Sequence, residues 1–197
     1  ASQLSSLIND RHIDEKETGQ VEEKTRMGEA ANLLLNKNDR IIIASGTTLL
    51  SFAQKITVEP LTVITPSVKV SLTLCYNPNI EVIQLGGSMR KSSASAIGPY
   101  AESLLGELMC NKLFLGVDGI DLDYGLTTSN IGEAHLNQHM LDAAQEVIVL
   151  ADSSKFGKRG FGKICNFSQI HRIITDKDAP TAAIQILREK GIEVTLV

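Results

Sequence analysis

The sequence predicts an α/β domain built on an open, mostly parallel sheet with helices on both faces. Short runs rich in Ile, Val and Leu recur along the chain, apolar on both sides as the strands of a buried parallel sheet must be. Each such run is followed by a stretch with helical spacing. Where strand passes into helix, the residues turn small, hydroxylic or charged.

The elements follow in order. Residues 1–20 are polar, include Asn9-Asp10-Arg11 and Asp14-Glu15-Lys16-Glu17, and are expected to form a linker or arm ahead of a domain spanning 21–197. Val21 to Asn36 has helical spacing that sets Met27, Ala30, Ala31, Leu34 and Leu35 on one side. Ile41–Ala44 reads as a strand, with a helix opening at Thr47. Leu61–Thr65 is the next strand, followed by a helix from Ser67 to about Tyr76. Glu81–Leu85 is a strand running into Gly86-Gly87, and a loop then leads to a helical stretch at Pro99–Leu108. Leu113–Val117 is a strand ending at Asp118-Gly119, and Ser129 to Ala144 a helix. Strands at Val147–Ala151 and Arg172–Thr175, a helix at Ala179–Glu189 and a strand at Glu193–Val197 complete the chain.

Composition narrows the function classes. The 197 residues are 43% hydrophobic and 21% charged, ordinary for a globular domain with one large core. Aromatic residues make up only 4% and Trp is absent, so aliphatic packing must dominate. A net charge of −4 argues against this segment gripping a nucleic-acid backbone, which needs clustered Lys and Arg. No run approaches the roughly 20 apolar residues of a membrane span, and the polar N-terminus does not read as a signal peptide. Cys75, Cys110 and Cys165 are far apart, which suits reduced thiols in a cytoplasmic protein.

Ligands of open α/β sheets bind outside the carboxyl ends of the strands. The first strand ends in Ser45-Gly46-Thr47-Thr48, a turn whose free N–H groups and helix dipole suit an anion, most often a phosphate. It is neither a P-loop nor a dinucleotide fingerprint. The other ends carry Thr65-Pro66-Ser67, Gly86-Gly87 with Ser88 and Arg90 behind, Asp118-Gly119-Ile120-Asp121, and Asp152-Ser153-Ser154-Lys155. Together they predict a polar pocket for a small phosphorylated ligand. Glu133, in the first helical turn after Thr128, Ser129 and Asn130, is placed to act as a base or to accept hydrogen bonds from sugar hydroxyls. The expected ligand residues are Ser45, Gly46, Thr47, Thr48, Thr65, Ser67, Gly86, Gly87, Arg90, Asp118, Gly119, Asp121, Thr128, Asn130, Glu133 and Lys155. His135 and His139 stand four apart on a helix but lack a third ligand, so no metal and no cofactor is expected.

The ordered series Ser-Gly-Thr-Thr (45–48), Leu-Gly-Gly (85–87), Gly-Pro-Tyr-Ala (98–101) and Phe-Leu-Gly-Val-Asp-Gly-Ile-Asp (114–121) resembles the effector-binding domain of DeoR-family transcriptional regulators. So do Gly-Leu-Thr-Thr-Ser-Asn (125–130), Glu133-Ala134 and Asp-Ser-Ser-Lys-Phe-Gly (152–157), and the match runs from about Arg26 to Val197. The resemblance implies a ribose-5-phosphate isomerase/NagB-like fold and a phosphorylated sugar effector. It also implies a homo-oligomer, dimer or tetramer, and DNA contact through an N-terminal winged helix-turn-helix absent from this chain. Two departures bear on the ligand: Ala44 stands where the family commonly has Asp, and Thr65-Pro66-Ser67 where it usually has Thr-Asn-Ser.

The isomerase likeness raises an enzymatic alternative. Asp118, Asp121, Glu133 and the Asp152–Lys155 segment match that enzyme family, but the loop Asp123-Tyr124-Gly125-Leu126-Thr127-Thr128 lacks its lysine and glycine run. Without a cation beside a developing enediolate, a large stabilising term would be missing. A sensor of carbohydrate metabolism that binds without turnover is therefore expected. An aldose-ketose isomerase, or an oligomerisation module with a vestigial pocket, stands as the alternative.

Overall fold

The structure, a computed structural model, describes residues 12–197; the first eleven residues of the expected arm lie outside them. In chain order the elements begin with α1 (Ile13–Glu17), α2 (Val21–Asn32), β1 (Arg40–Ile43), α3 (Thr47–Gln54), β2 (Leu61–Thr65), α4 (Val68–Leu74) and β3 (Ile80–Gln84). A hairpin of β4 (Ser88–Arg90) and β5 (Ser95–Ile97) precedes α5 (Pro99–Leu105) and β6 (Cys110–Gly116). Next come β7 (Gly119–Asp121), β8 (Gly125–Thr128), α6 (Ile131–Asp142), β9 (Ala144–Leu150) and β10 (Gly162–Cys165). The chain closes with β11 (Arg172–Thr175), α7 (Thr181–Glu189) and β12 (Glu193–Leu196).

The main sheet has seven strands in the order β12-β11-β9-β6-β1-β2-β3, every pairing parallel. The predicted fold class is therefore the observed one. Its strands need no alternation because helices cover both faces: β1 reads Arg-Ile-Ile-Ile, and Ile41, Ile42 and Ile43 are all fully buried. Among the described residues the core has one tilted ring pair, Phe52 of α3 on Phe114 of β6, with centroids 4.4 Å apart. Aliphatic side chains fill the rest.

Strand order reverses between β1 and β6. From β1 the chain winds outward through β2 and β3, and from β6 it winds the other way through β9, β11 and β12. The connections after β1 and β6 thus diverge, which leaves a crevice above the carboxyl ends of these two central strands.

Two small sheets frame that crevice, and both run through segments that carry no predicted strand. One is the β4–β5 hairpin; the other is the antiparallel set β10-β8-β7. Each strand has only three or four residues, too short for a periodicity to register. Gly87 enables the hairpin. Its φ is 144°, and a Cβ there would sit 2.5 Å from the Ile97 carbonyl oxygen.

At the opposite end of the central strands, Lys112 of β6 and Asp39 ahead of β1 form a buried ion pair at 2.6 Å. Asp39 also accepts from the Asn36 N–H at 2.9 Å. The pair lies away from the crevice and ties together the starts of the two strands.

Candidate effector site

A cavity of about 410 Å³ opens where the strand order reverses, within the range of small-molecule sites. Its floor is the β1–α3 turn. Gly46 has φ 144° and ψ 157°, a backbone region open mainly to glycine, and a Cβ would meet nothing within 4 Å. Conformation, not crowding, therefore demands glycine here. The first α3 hydrogen bond runs from Leu50 N–H to the Gly46 carbonyl at 2.9 Å, and no side chain caps the helix. The N–H groups of the first turn are thus left for a ligand or solvent, beside the hydroxyls of Ser45, Thr47 and Thr48.

Two carboxyls face this turn from other elements. Asp118 follows β6 and receives the Thr128 hydroxyl at 3.0 Å, the Ser129 N–H at 3.2 Å and the Lys16 ammonium at 3.2 Å. Glu133 lies in the first turn of α6, whose cap is Asn130, with its side chain accepting from the Glu133 N–H at 3.0 Å. Glu133 in turn takes the Ser45 hydroxyl at 3.2 Å and pairs with Arg90 Nη1 at 3.0 Å. Arg90 reaches it from β4, which is why the hairpin matters to the site.

The two carboxyls are pushed in opposite directions. Burial raises Glu133 above the ordinary carboxyl range; Arg90 counters the rise and the charge of Asp118 adds to it. Burial also opposes ionisation of Asp118, but the ammoniums of Lys16 and Lys155 and the Thr128 hydroxyl outweigh it and hold Asp118 below its usual value. One carboxylate is thereby kept charged, an acceptor for hydroxyl groups, while its neighbour is eased toward its neutral form.

A third wall comes from the end of β9. Asp152 is 2% exposed and caps the short turn Ser153–Lys155, accepting from the Ser154 N–H at 3.0 Å. Lys155 Nζ lies 3.9 Å from the same carboxylate. The segment caps a turn and lines the cavity at once.

Of the predicted ligand residues, Ser45, Gly46, Thr47, Thr48, Arg90, Asp118, Thr128, Glu133 and Lys155 meet at this cavity. The others do not line it. Thr65 is fully buried and accepts from the Ser67 N–H, and Ser67 caps α4. Gly86 and Gly87 serve the turn into the hairpin, and Gly119 lies in β7, where a Cβ would sit 2.4 Å from the Lys158 carbonyl oxygen. Asp121 takes both Nε and Nη2 of Arg159, at 3.0 and 2.7 Å, and accepts two N–H groups of its own turn. Asn130 acts as the cap of α6. Ala44 is buried in the core rather than facing the cavity. His135 and His139 are exposed, with the His139 ring bonded to the His135 carbonyl at 2.9 Å.

The profile of the DeoR C terminal sensor domain matches residues 19–177. The chain belongs to the DeoR family. This sensor domain is 36% identical to the HTH-type transcriptional regulator YulB of Bacillus subtilis over 186 residues, 94% of this chain and 72% of YulB. It is 29% identical to the HTH-type transcriptional repressor CsqR of Escherichia coli over 197 residues, 100% of this chain and 75% of CsqR. A D-ribose-5-phosphate isomerase solved with phospho-erythronic acid superimposes with a TM-score of 0.51 at 14% identity, over 69% of this chain and 54% of that one. At that identity the likeness is one of fold. Both relatives are named as transcriptional regulators. No helix among the described residues of the sensor domain is long and apolar enough to cross a membrane.

The sensor domain also puts residues at the cavity that sequence reasoning did not single out. Ile13, Glu15, Lys16, Gly19 and Gln20 come from the stretch read as arm, Lys24 from α2, and Ser92 and Ser93 from the hairpin turn. Lys16 and Arg90 bring cations to the two carboxyls, while the loop 123–128 carries none. For Lys16 no local signal existed: its partner Asp118 is 102 residues away.

Proposed function

We propose that this domain binds a phosphorylated sugar and that binding changes how a winged helix-turn-helix elsewhere in the full protein holds DNA. In this reading the phosphate sits on the Gly46–Thr48 turn, and the sugar hydroxyls meet Asp118 and Glu133. The protein works in the cytoplasm as a homodimer or homotetramer, and binding proceeds without turnover. The observation that carries the reading is the convergence of an uncapped helix start, the Lys155 ammonium and two oppositely perturbed carboxyls on one cavity at the strand-order reversal. Regulation then needs only that the ligand prefer one arrangement of the full-length oligomer and DNA the other.

The test is thermal unfolding of the domain with a panel of phosphorylated pentoses, hexoses and amino sugars. A ligand at one hundred times its dissociation constant adds about 2.7 kcal/mol. In a domain of this length that is a rise of roughly 5–11 °C in Tm. Gly46→Ala, forced to hold an unfavourable φ at a cost of about 1–3 kcal/mol, should lower the baseline Tm and blunt the response. Absence of a shift with every member of the panel would refute the reading.

A further inference from the structure

The stretch ahead of α2 is part of the cavity wall. Ile13 is 3% exposed, and its N–H donates to the Ser92 carbonyl in the β4–β5 turn at 2.6 Å. Asp14 pairs with Lys69 of α4 at 2.6 Å. Lys16 reaches Asp118 at 3.2 Å, while its own carbonyl receives the Lys24 ammonium. Gln20, with its amide nitrogen turned to the carboxylate, donates to both Asp152 oxygens at 2.9 and 3.1 Å. The arm thus grips two carboxylates at the ends of neighbouring strands, Asp118 after β6 and Asp152 after β9.

A helix of five residues is not stable by itself. The position of α1 therefore depends on the buried Ile13 side chain and on these few polar contacts, four of which end on residues that line the cavity, Ser92, Lys24, Asp118 and Asp152. The lining cations Lys16, Lys24, Arg90, Lys155 and Lys158 face the carboxylates Glu15, Asp118, Glu133 and Asp152. An entering dianion shifts that balance toward net negative charge and strengthens the hold on any ammonium free to turn. Lys155 already faces Asp152 at 3.9 Å from the end of β9, and Arg90 is buried against Glu133. Lys16, on a flexible stem with a side chain 31% exposed, has the freedom to be shared between Asp118 and a ligand.

We propose that Lys16 is an effector-binding residue, so that the arm completes the pocket and an anionic ligand fixes its position. The inference rests on the sugar-phosphate reading above and deepens it. In the proposed full-length arrangement the arm joins the sensor to the DNA-binding unit upstream. A ligand held between Lys16 and the Gly46 turn would act directly on that connection, with no rearrangement of the sheet.

The experiment is amide hydrogen exchange on the 197-residue chain, reading peptides from the arm (12–20) and from the β1–α3 turn (45–49). The probes are ribose 5-phosphate, fructose 6-phosphate and, as the minimal anion, inorganic phosphate. Wild type is compared with Lys16→Gln and Lys16→Arg, and affinities are taken by calorimetry. The expected result is protection of the turn, at least tenfold slower exchange of the arm, and at least tenfold weaker binding by Lys16→Gln with substantial recovery in Lys16→Arg. Protection of the turn with unchanged or faster arm exchange, and wild-type affinity in Lys16→Gln, would overturn the inference and leave the pocket reading standing. If no probe protects the turn in the wild type, the inference about Lys16 falls, and the pocket reading is decided separately by the full panel of phosphorylated pentoses, hexoses and amino sugars.

Discussion

Replacing Arg90 with Met tests the electrostatic account of the site most sharply. The guanidinium lies 3.0 Å from the Glu133 carboxylate, and the two side chains are only 8% and 14% exposed. Unit charges at that distance attract by about 5–6 kcal/mol at an effective dielectric constant near 20. Removing one partner of such a buried pair leaves a charge uncompensated and typically costs about 3–5 kcal/mol. Protonation caps the loss, because a stranded Glu133 takes up a proton at about 1.4 kcal/mol for each unit between the solution pH and its pKa. The sign follows from the direction of its shift. Glu133 is already raised above its ordinary 4.5, and Arg90 is the neighbour that holds the rise down.

Without Arg90 the carboxyl rises further, so over the window between the two values the folded variant holds a proton that the folded wild type has released. The variant's deficit must therefore grow as pH rises through that window. We expect a loss of about 3 kcal/mol near pH 8, roughly 6–12 °C in Tm, and about 1 kcal/mol near pH 5. In a Glu133→Gln background most of the deficit should vanish, since there is no charge left to strand. Thermal melts of the four proteins at the two pH values measure all of this. A deficit that is the same at both pH values, and the same in the Glu133→Gln background, would show that Arg90 acts through packing and would refute the pairing argument.

Other outcomes follow from the same structure. Lys112→Met strands Asp39 at the far end of the central strands and should cost about 3–5 kcal/mol in a urea melt, while ligand affinity by calorimetry stays as in the wild type. Asp118, held low, stabilises the fold at neutral pH, and that contribution should disappear as pH falls through its depressed folded value. An Asp118→Asn variant should accordingly show a flatter acid limb in the same melts. Cys75 is exposed, whereas burial raises Cys110 and pushes Cys165 up to about 12. Iodoacetamide near neutral pH should therefore modify Cys75 quickly and leave the other two unreacted until the chain unfolds, as peptide mass spectrometry would show.

The long buried strands and their helices were legible because burial on both faces writes itself as consecutive apolar residues. Leu61–Thr65 and Arg172–Thr175 fall where the pattern put them. Boundaries shifted by a few residues where capping rather than hydrophobicity ends the element, as at α6, which opens at the Asn130 cap instead of Ser129. The hairpin and the β7-β8-β10 sheet were not legible. Their strands are three or four residues long, and they are held by two tight hairpins, by the distant pairing of β8 with β10 and by close backbone approach at Gly87 and Gly119, which leave no periodic trace.

The same division runs through the site. The sequence by itself determined the α/β class, the family and the polar strand ends, because these depend on local pattern and on residues clustered along the chain. Only the tertiary structure decided which of those ends share a cavity. Thr65, Ser67 and Asp121 satisfy local turns, while Ser45, Asp118 and Glu133 converge because the strand order reverses between β1 and β6. It also decided that Lys16 belongs with them. An ion pair between residues a hundred positions apart is a product of topology, and spacing along the chain carries no record of it.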